Sequence, residues 1–350
     1  MSFYESKLDK KEKVVNNNKK QLPWVEKYRP KQIDDIISHQ AIISSLKNVI
    51  QKKSLPHLLF FGPSGSGKTS TILCCAREIY GVYMDCMILQ LNASNERGIE
   101  TVRNKIKNFV SNKNSIFLPV ENRNIFKMVI LDEIDSMTVE AQGMLRQTIE
   151  TNSVSTRFCL ICNDIDKINV ALQSRCTLYR FSPLNPADMK TRLDDICEFE
   201  KIKYAPDALD AIIKISKGDM RCAINMLQHV NLTVSKKITV ENVYKISGHC
   251  MPSVNIDIFN ILQKLCKKKI GLEKCVNVIT QIVLENNITI FNLLEELKNI
   301  VMNSKFTMEQ KIYLIDNFAQ TEIYDSVNVD SKNILMIISS LFILVSNIGV

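Results

Sequence analysis

A chain of 350 residues with 45% hydrophobic and 23% charged residues is too long for one small domain and too apolar for a disordered one. Its 45 Lys and Arg outnumber its 37 Asp and Glu by eight, a mild basic excess that permits an acidic partner without demanding one. These values exclude collagen-like and coiled-coil chains and predict two or three folded domains.

Residues 1–21 are rich in Lys and Asn and lack apolar periodicity, which predicts a flexible basic tail. This start has no apolar core of the signal-peptide kind, and no run of about 18 apolar residues follows. An intracellular protein with reduced cysteines and no membrane contact is expected. From His39 the pattern becomes regular: Ile42, Ile43, Leu46, Val49 and Ile50 recur at helical spacing. The apolar run 57–61 then reads as a strand entering a glycine-rich turn. Further buried strands are predicted over 87–91, 125–131, 157–162 and 177–181, with helices between them. Strands alternating with helices give an α/β fold with a parallel sheet covered on both faces.

Pro183 and Pro186 mark a break, beyond which the chain reads as successive amphipathic helices without a convincing strand. Gly248 to Pro252 looks like a second linker. The expected order is the tail at 1–21, an α/β domain at 22–183, a small helical domain at 184–250 and a helical domain at 251–350. The last of these shows no chemical motif, and its apolar segment 333–345 is expected to serve packing and oligomer contacts.

The chemistry concentrates in Gly62-Pro63-Ser64-Gly65-Ser66-Gly67-Lys68-Thr69, which fits the phosphate-loop pattern G-x-x-x-x-G-K-S/T between a strand and a helix. Three of the chain's ten glycines fall between positions 62 and 67. In such a loop, backbone N–H groups and the helix N-terminus attract phosphate, Lys68 reaches the β and γ phosphates, and Thr69 ligates Mg²⁺. The run Met128 to Leu131 ends in Asp132 and Glu133, where a buried strand would emerge at the phosphate end of the sheet. Asp132 is expected to hold Mg²⁺ through water, and Glu133 to polarise the attacking water. Asn163, after the next apolar run, is either a turn former or a phosphate neighbour. Cys159 and Cys162 form a lone CxxC within a strand and are expected to be buried as small hydrophobes. Arg175 and Arg221 are candidates for facing charge on a transferring phosphoryl group, although spacing places neither. Residues 95–98 lead into a helix whose Arg103 and Lys107 share a face near Arg97. That face is either a solvated basic surface or a dock for phosphate.

Taken in order, these residues resemble the small subunits of replication factor C, the AAA+ ATPases of the eukaryotic clamp loader. The resemblance spans about residues 22–250. It is carried by Leu22-Pro23-Trp24-Val25-Glu26-Lys27-Tyr28-Arg29-Pro30, the phosphate loop, Asn92-Ala93-Ser94, Leu131-Asp132-Glu133, Ser174-Arg175-Cys176 and Gly218-Asp219-Met220-Arg221. Ile37-Ser38-His39-Gln40, Leu55 to Leu59 and Val243-Tyr244 look most like the small subunit numbered five in animals and three in yeast.

The resemblance implies an AAA+ module, a helical lid and a C-terminal collar by which five subunits form a spiral in the nucleus. It implies an ATP site made of Gly62 to Ser70, Asn163 as first sensor and Arg221 as second, with Val25, Tyr28, Arg29 and Pro30 on the adenine and ribose side. Arg175 would reach the ATP site of the neighbouring subunit. Arg97, Arg103 and Lys167 would follow DNA phosphates, and a PCNA-type sliding clamp would be a further partner. A AAA+ DNA remodeller or helicase, or a scaffold that binds nucleotide without hydrolysing it, are the alternative readings. Five positions depart from the family pattern: Ser64 and Ser66 stand where Pro and Thr are usual, Ile134 where Asp-Glu-Ala-Asp has Ala, Gln147 after Arg146 where two arginines are usual, and Cys222 where a polar residue is common.

Overall fold

Five apolar runs too short for helices become the strands of one sheet: β1 (Leu58–Phe61), β2 (Ile88–Asn92), β3 (Lys127–Asp132), β4 (Thr156–Cys162) and β5 (Thr177–Arg180). A computed structural model of the chain describes residues 22–52, 54–94, 99–111, 126–234, 237–267, 269–286, 288–326 and 330–346. The expected tail lies outside them. The strands pair in the order β2-β3-β4-β1-β5, every pair parallel. Leu58 faces Cys159 on one side and Thr177 on the other, which fixes β1 between β4 and β5.

Successive side chains of a strand point to opposite faces, and here both faces are buried. Leu58, Phe60, Met128, Ile130, Cys159 and Ile161 enter one core. Leu59, Val129, Leu131, Phe158, Leu160 and Cys162 enter the other. The helices Gln40–Gln51 and Lys68–Tyr80 contribute Leu46 and Ile72 to the first core. The helices Ile99–Ser111 and Val139–Asn152 contribute Ile106 and Leu145 to the second. Cys159 and Cys162 are 0% and 1% exposed, as small apolar residues of β4 would be.

Every strand lies where expected, with limits shifted by one or two residues, and residue 125 lies outside the described residues. Met87 closes the short helix Met84–Met87, so β2 starts one residue later. Phe181 leaves the ladder, although its N–H still donates to the Phe61 carbonyl at 2.8 Å.

Beyond Arg180 the described chain is helical apart from a single bridge between Tyr204 and Ile238. The helix limits follow local chemistry. Asn185 caps Pro186–Phe199 by accepting from Ala187, with Pro186 in the first turn. Thr239 caps Val240–Ser247, which stops at Gly248 in the left-handed region (φ 69°). Pro252 then opens Pro252–Cys266. The chain divides into two compact units: one runs to Lys201 and takes back Ser216–Gln228, and the other has Ile202–Ile215 and the described chain from His229.

In the second unit, the helices Pro252–Cys266, Leu272–Glu285, Ile290–Met302, Met308–Ser326 and Ser331–Val345 enclose their own core. The apolar segment 333–345 supplies Ile334, Leu335, Ile338, Leu341, Phe342 and Val345 to it. No described helix is long and apolar enough to cross a membrane. Phe342 is fully buried, with ring centroids 6.1 Å from Phe259, 6.3 Å from Phe306 and 6.3 Å from Phe318. Phe342→Ala should therefore cost about 3–5 kcal/mol of stability in this unit. Urea unfolding followed by circular dichroism measures the loss, and fluorescence of the sole tryptophan, Trp24, follows the other unit separately.

Candidate nucleotide-binding site

The parallel strands deliver their C-terminal loops to one edge of the sheet, where α/β proteins bind ligands. The loop after β1 is wound by its glycines. Gly62 has φ +144°, and a Cβ there would lie 2.0 Å from the Phe181 carbonyl oxygen. Gly67, at φ +96°, caps the helix Lys68–Tyr80. Ser66 Oγ donates to the Pro63 carbonyl at 2.8 Å and closes the loop on itself.

Lys68 is buried, 7% exposed. Its Nζ donates to the Gly62 and Pro63 carbonyls, each at 2.8 Å, and to Asn163 Oδ1 at 3.0 Å. Burial lowers its pKa below the ordinary lysine range, and Asp132 opposes that shift. The ammonium is thus held in the loop with neutral acceptors, which phosphate oxygens would outcompete because hydrogen bonds between charged groups are stronger.

Thr69 Oγ1 donates to Asp132 Oδ2 at 2.7 Å. A hydroxyl and a carboxylate at this spacing form the hard oxygen set that suits Mg²⁺ alongside phosphate and water. The other Asp132 oxygen accepts the Glu133 N–H at 3.0 Å. Glu133 sits in the left-handed region (φ 56°, ψ 41°), a conformation that costs a non-glycine residue roughly 1–2 kcal/mol. The backbone N–H groups of Asn163 and Asp164 donate to Asp135 Oδ2 at 3.2 and 3.4 Å, fixing the turn after β4.

The segment before the first long helix also lines this cleft. Val25, Tyr28, Arg29 and Pro30 line it together with Lys68, Asp132, Glu133, Asn163 and Arg221. Arg29 Nε donates to Ser70 Oγ at 3.3 Å, and Arg77 Nη1 donates to the Pro30 carbonyl at 3.3 Å. Lys27 Nζ and Tyr28 Oη both donate to Glu200 Oε1 at 2.6 Å. Burial first, and then the Glu200 carboxylate, push the Tyr28 phenol well above its ordinary pKa. Arg192 Nη2 donates to the Tyr28 carbonyl at 2.9 Å.

The structure thus gathers Ser64 to Ser70, Asp132, Glu133, Asn163, Arg221, Val25, Tyr28, Arg29 and Pro30 in one cleft. Gly62 and Pro63 meet it through the carbonyls that hold Lys68. Arg175 lies elsewhere: its Nη1 donates to the Ala171 carbonyl at 2.7 Å, and its Nη2 pairs with Glu150, which also accepts from Arg146 Nε at 3.1 Å. Lys167 is exposed, with Asp164 at 3.8 Å. Arg97 and the side chain of Arg103 lie outside the described residues. Sequence reasoning missed Ser38, Asp188, Met189 and Arg192, which also line the cleft. For Asp188, Met189 and Arg192 the local signal was the capped helix start at Asn185-Pro186, and Ser38 stood only in the Ile37-Ser38-His39-Gln40 resemblance.

Family comparisons agree with this geometry. Residues 58–184 match the ATPase family associated with various cellular activities (AAA), and residues 187–245 match the RFC1-like AAA+ ATPase lid domain. A mimivirus protein (Acanthamoeba polyphaga mimivirus) named as a replication factor C small subunit is 70% identical over 349 residues, 99% of this chain and 100% of that protein. Replication factor C subunit 5 of Homo sapiens is 41% identical over 328 residues, 93% of each chain. Replication factor C subunit 3 of Schizosaccharomyces pombe is 48% identical over 238 residues, 68% of this chain and 67% of that one.

The close approach at Gly62 is a sharp test of the loop. Its φ and the backbone oxygen 2.0 Å from a would-be Cβ leave an alanine no relief but displacement of the loop. Gly62→Ala should weaken nucleotide binding at least about tenfold, since a lost or misplaced charged hydrogen bond is worth roughly 1.5–3 kcal/mol. Titration with a fluorescent ATP analogue checks this, with circular dichroism verifying that the fold persists.

Proposed function

The chain belongs to the replication factor C small-subunit family of AAA ATPases, and on that premise we propose that it is an ATPase subunit of a clamp loader. In this reading, ATP binding assembles a spiral of five subunits around a PCNA-type sliding clamp and primer-template DNA, and hydrolysis releases the loaded clamp. One observation carries the reading. A single cleft gathers a phosphate loop, a Thr69–Asp132 pair, Glu133, Asn163 and Arg221, while Arg175 stands outside it.

The roles follow from position. Lys68 and the loop N–H groups take the β and γ phosphates, and Val25, Tyr28, Arg29 and Pro30 take the nucleoside side. Thr69 and Asp132 would hold Mg²⁺, which when bound neutralises charge on the phosphate oxygens. Glu133 accepts a proton from the attacking water as it closes on the γ-phosphorus. Asn163 orients at the γ-phosphate end beside Lys68, to which it already bonds at 3.0 Å. Arg221 meets the γ-phosphate in cis, and Arg175 serves the site of the adjacent subunit, which accords with its position outside its own cleft.

Arg97, Arg103 and Lys167 are proposed to contact DNA phosphates, which position a duplex without reading its bases. The functional division is an ATPase domain at 22–183, a lid at 184–250 and a collar at 251–350. A nuclear location goes with a role on replicating and repaired DNA.

Two substitutions in the reconstituted complex test the division of labour. Lys68→Ala should abolish ATP binding at this site. Arg175→Ala should leave binding here intact and slow hydrolysis in the neighbouring subunit by about 10³-fold or more, the scale of an arginine finger. Normal turnover of the Arg175→Ala complex would refute the trans assignment. Glu133→Gln in this chain alone should lower the DNA- and clamp-stimulated ATPase rate, and an unchanged rate would make the chain a nucleotide-binding scaffold.

A further inference from the structure

The phosphate loop is tied to the segment carrying Arg221 by contacts that the ATPase reading leaves unused. Ser64 Oγ donates to Asp219 Oδ2 at 2.7 Å. The other oxygen, Oδ1, accepts the Cys222 N–H at 3.0 Å, and the Asp219 carbonyl accepts the Ala223 N–H at 3.1 Å. Asp219 therefore caps the helix Met220–Thr233 with one oxygen and holds the loop with the other. The Met220 N–H donates to the Gly65 carbonyl at 3.4 Å.

Two glycines make the approach possible. A Cβ at Gly65 (φ +62°) would lie 1.7 Å from Asp219 Oδ1. A Cβ at Gly218 (φ +88°) would lie 2.7 Å from Pro183 Cβ, and the Gly218 carbonyl accepts the Leu184 N–H at 3.1 Å. The turn is thus wedged between the loop and the chain leaving β5, and Arg221 starts two residues past the held carboxylate.

A helix cap alone does not require this arrangement. An uncharged Asn caps as well as Asp, and a carboxylate beside a loop built for phosphate is electrostatically unfavourable. The bond from Ser64 gives the second oxygen a function. Nor does the loop require Ser64 for phosphate, since the position commonly holds proline in the family pattern and proline has no hydroxyl.

We propose that Ser64 and Asp219 form a clasp that sets Arg221 against the γ-phosphate, so that both are positioning residues for telling a nucleoside triphosphate from a diphosphate. The inference rests on the ATP-site reading above and adds a regulator to it. When the clasp is closed, the loop gripping the β-phosphate and the arginine meeting the γ-phosphate keep a fixed separation. Open, Arg221 keeps its charge and loses its register.

The test measures affinities of the full-length chain for fluorescent ATPγS and fluorescent ADP. Ser64→Ala leaves the helix cap intact and should weaken ATPγS about threefold to tenfold, the net worth of one ordinary intramolecular hydrogen bond. ADP affinity should fall by a clearly smaller factor, since no γ-phosphate is there to lose. Ser64→Thr, which keeps the hydroxyl, should restore the preference. In an Arg221→Ala or Asp219→Ala background, Ser64→Ala should add nothing, because residues acting as one unit are not additive.

Equal weakening of both nucleotides, no weakening, or full additivity with Arg221→Ala would overturn the clasp. Binding by the wild type that Lys68→Ala removes keeps the ATP-site reading standing whatever Ser64→Ala does. Failure of the wild type to bind either nucleotide sinks both.

Discussion

Lys68 carries a charge into a site where it is only 7% exposed, and the surrounding architecture can be understood as the means of keeping it there. A buried ammonium is costly unless every donor finds an acceptor. Its three partners are the Gly62 and Pro63 carbonyls and the Asn163 amide oxygen, so two come from the loop after β1 and one from the turn after β4. The lysine therefore joins two strand ends, and it can do so because β4 is the immediate neighbour of β1 in the sheet. The same bond that neutralises the burial cost brings Asn163 to the phosphate end. Burial and function are met by one geometry.

Sheet order extends this constraint to the acids. β3 lies beside β4, and Leu131 stands opposite Leu160, so Asp132 emerges level with the end of β4. From there it reaches Thr69 across the sheet edge at 2.7 Å. With Asp132 fixed by Thr69 and by the Glu133 N–H, the chain must turn sharply, and Glu133 takes the left-handed conformation that swings its carboxylate into the same cleft. Strain at a non-glycine residue persists where neighbours over-determine it, and such residues cluster at functional sites. The Ser136 hydroxyl and N–H both return to the Glu133 carbonyl, at 2.7 and 3.0 Å, and supply part of that restraint.

Legibility in the sequence followed the range of the interaction. Strands flanked by loops of special chemistry were readable because a parallel strand buried on both faces is a short apolar run: β3 ends on Asp132, and β1 and β4 stop one residue before Gly62 and Asn163. Where two local signals met, the edge blurred: Met87 belongs by hydropathy to β2 and by backbone to the preceding helix turn. Contacts between residues far apart in the chain left no local mark. Glu200 binds Lys27 and Tyr28 across more than 170 positions, and Ser64 meets Asp219 across 155. Nothing in the spacing around Arg192 announces that its guanidinium will hold the Tyr28 carbonyl. The resemblance supplied the roles of Arg175 and Arg221, whereas spacing alone supplied only their charge.

The surroundings of Arg175 show what an arginine proposed to serve another subunit is bonded to within its own chain. Its guanidinium is satisfied twice, by the Ala171 carbonyl and by Glu150, and Glu150 is shared with Arg146. An arginine this well partnered does not swing freely into solvent. To meet a phosphate on a neighbour it must exchange Glu150 for a more highly charged acceptor, an exchange that a triphosphate favours more than its hydrolysis product does. Arg146 then keeps Glu150 from being left alone when Arg175 departs, because the carboxylate retains one guanidinium partner. The Arg146-Gln147 pair, where two arginines are usual, leaves this chain a single cation on the Glu150 side of the helix Val139–Asn152, enough to neutralise one carboxylate and no more.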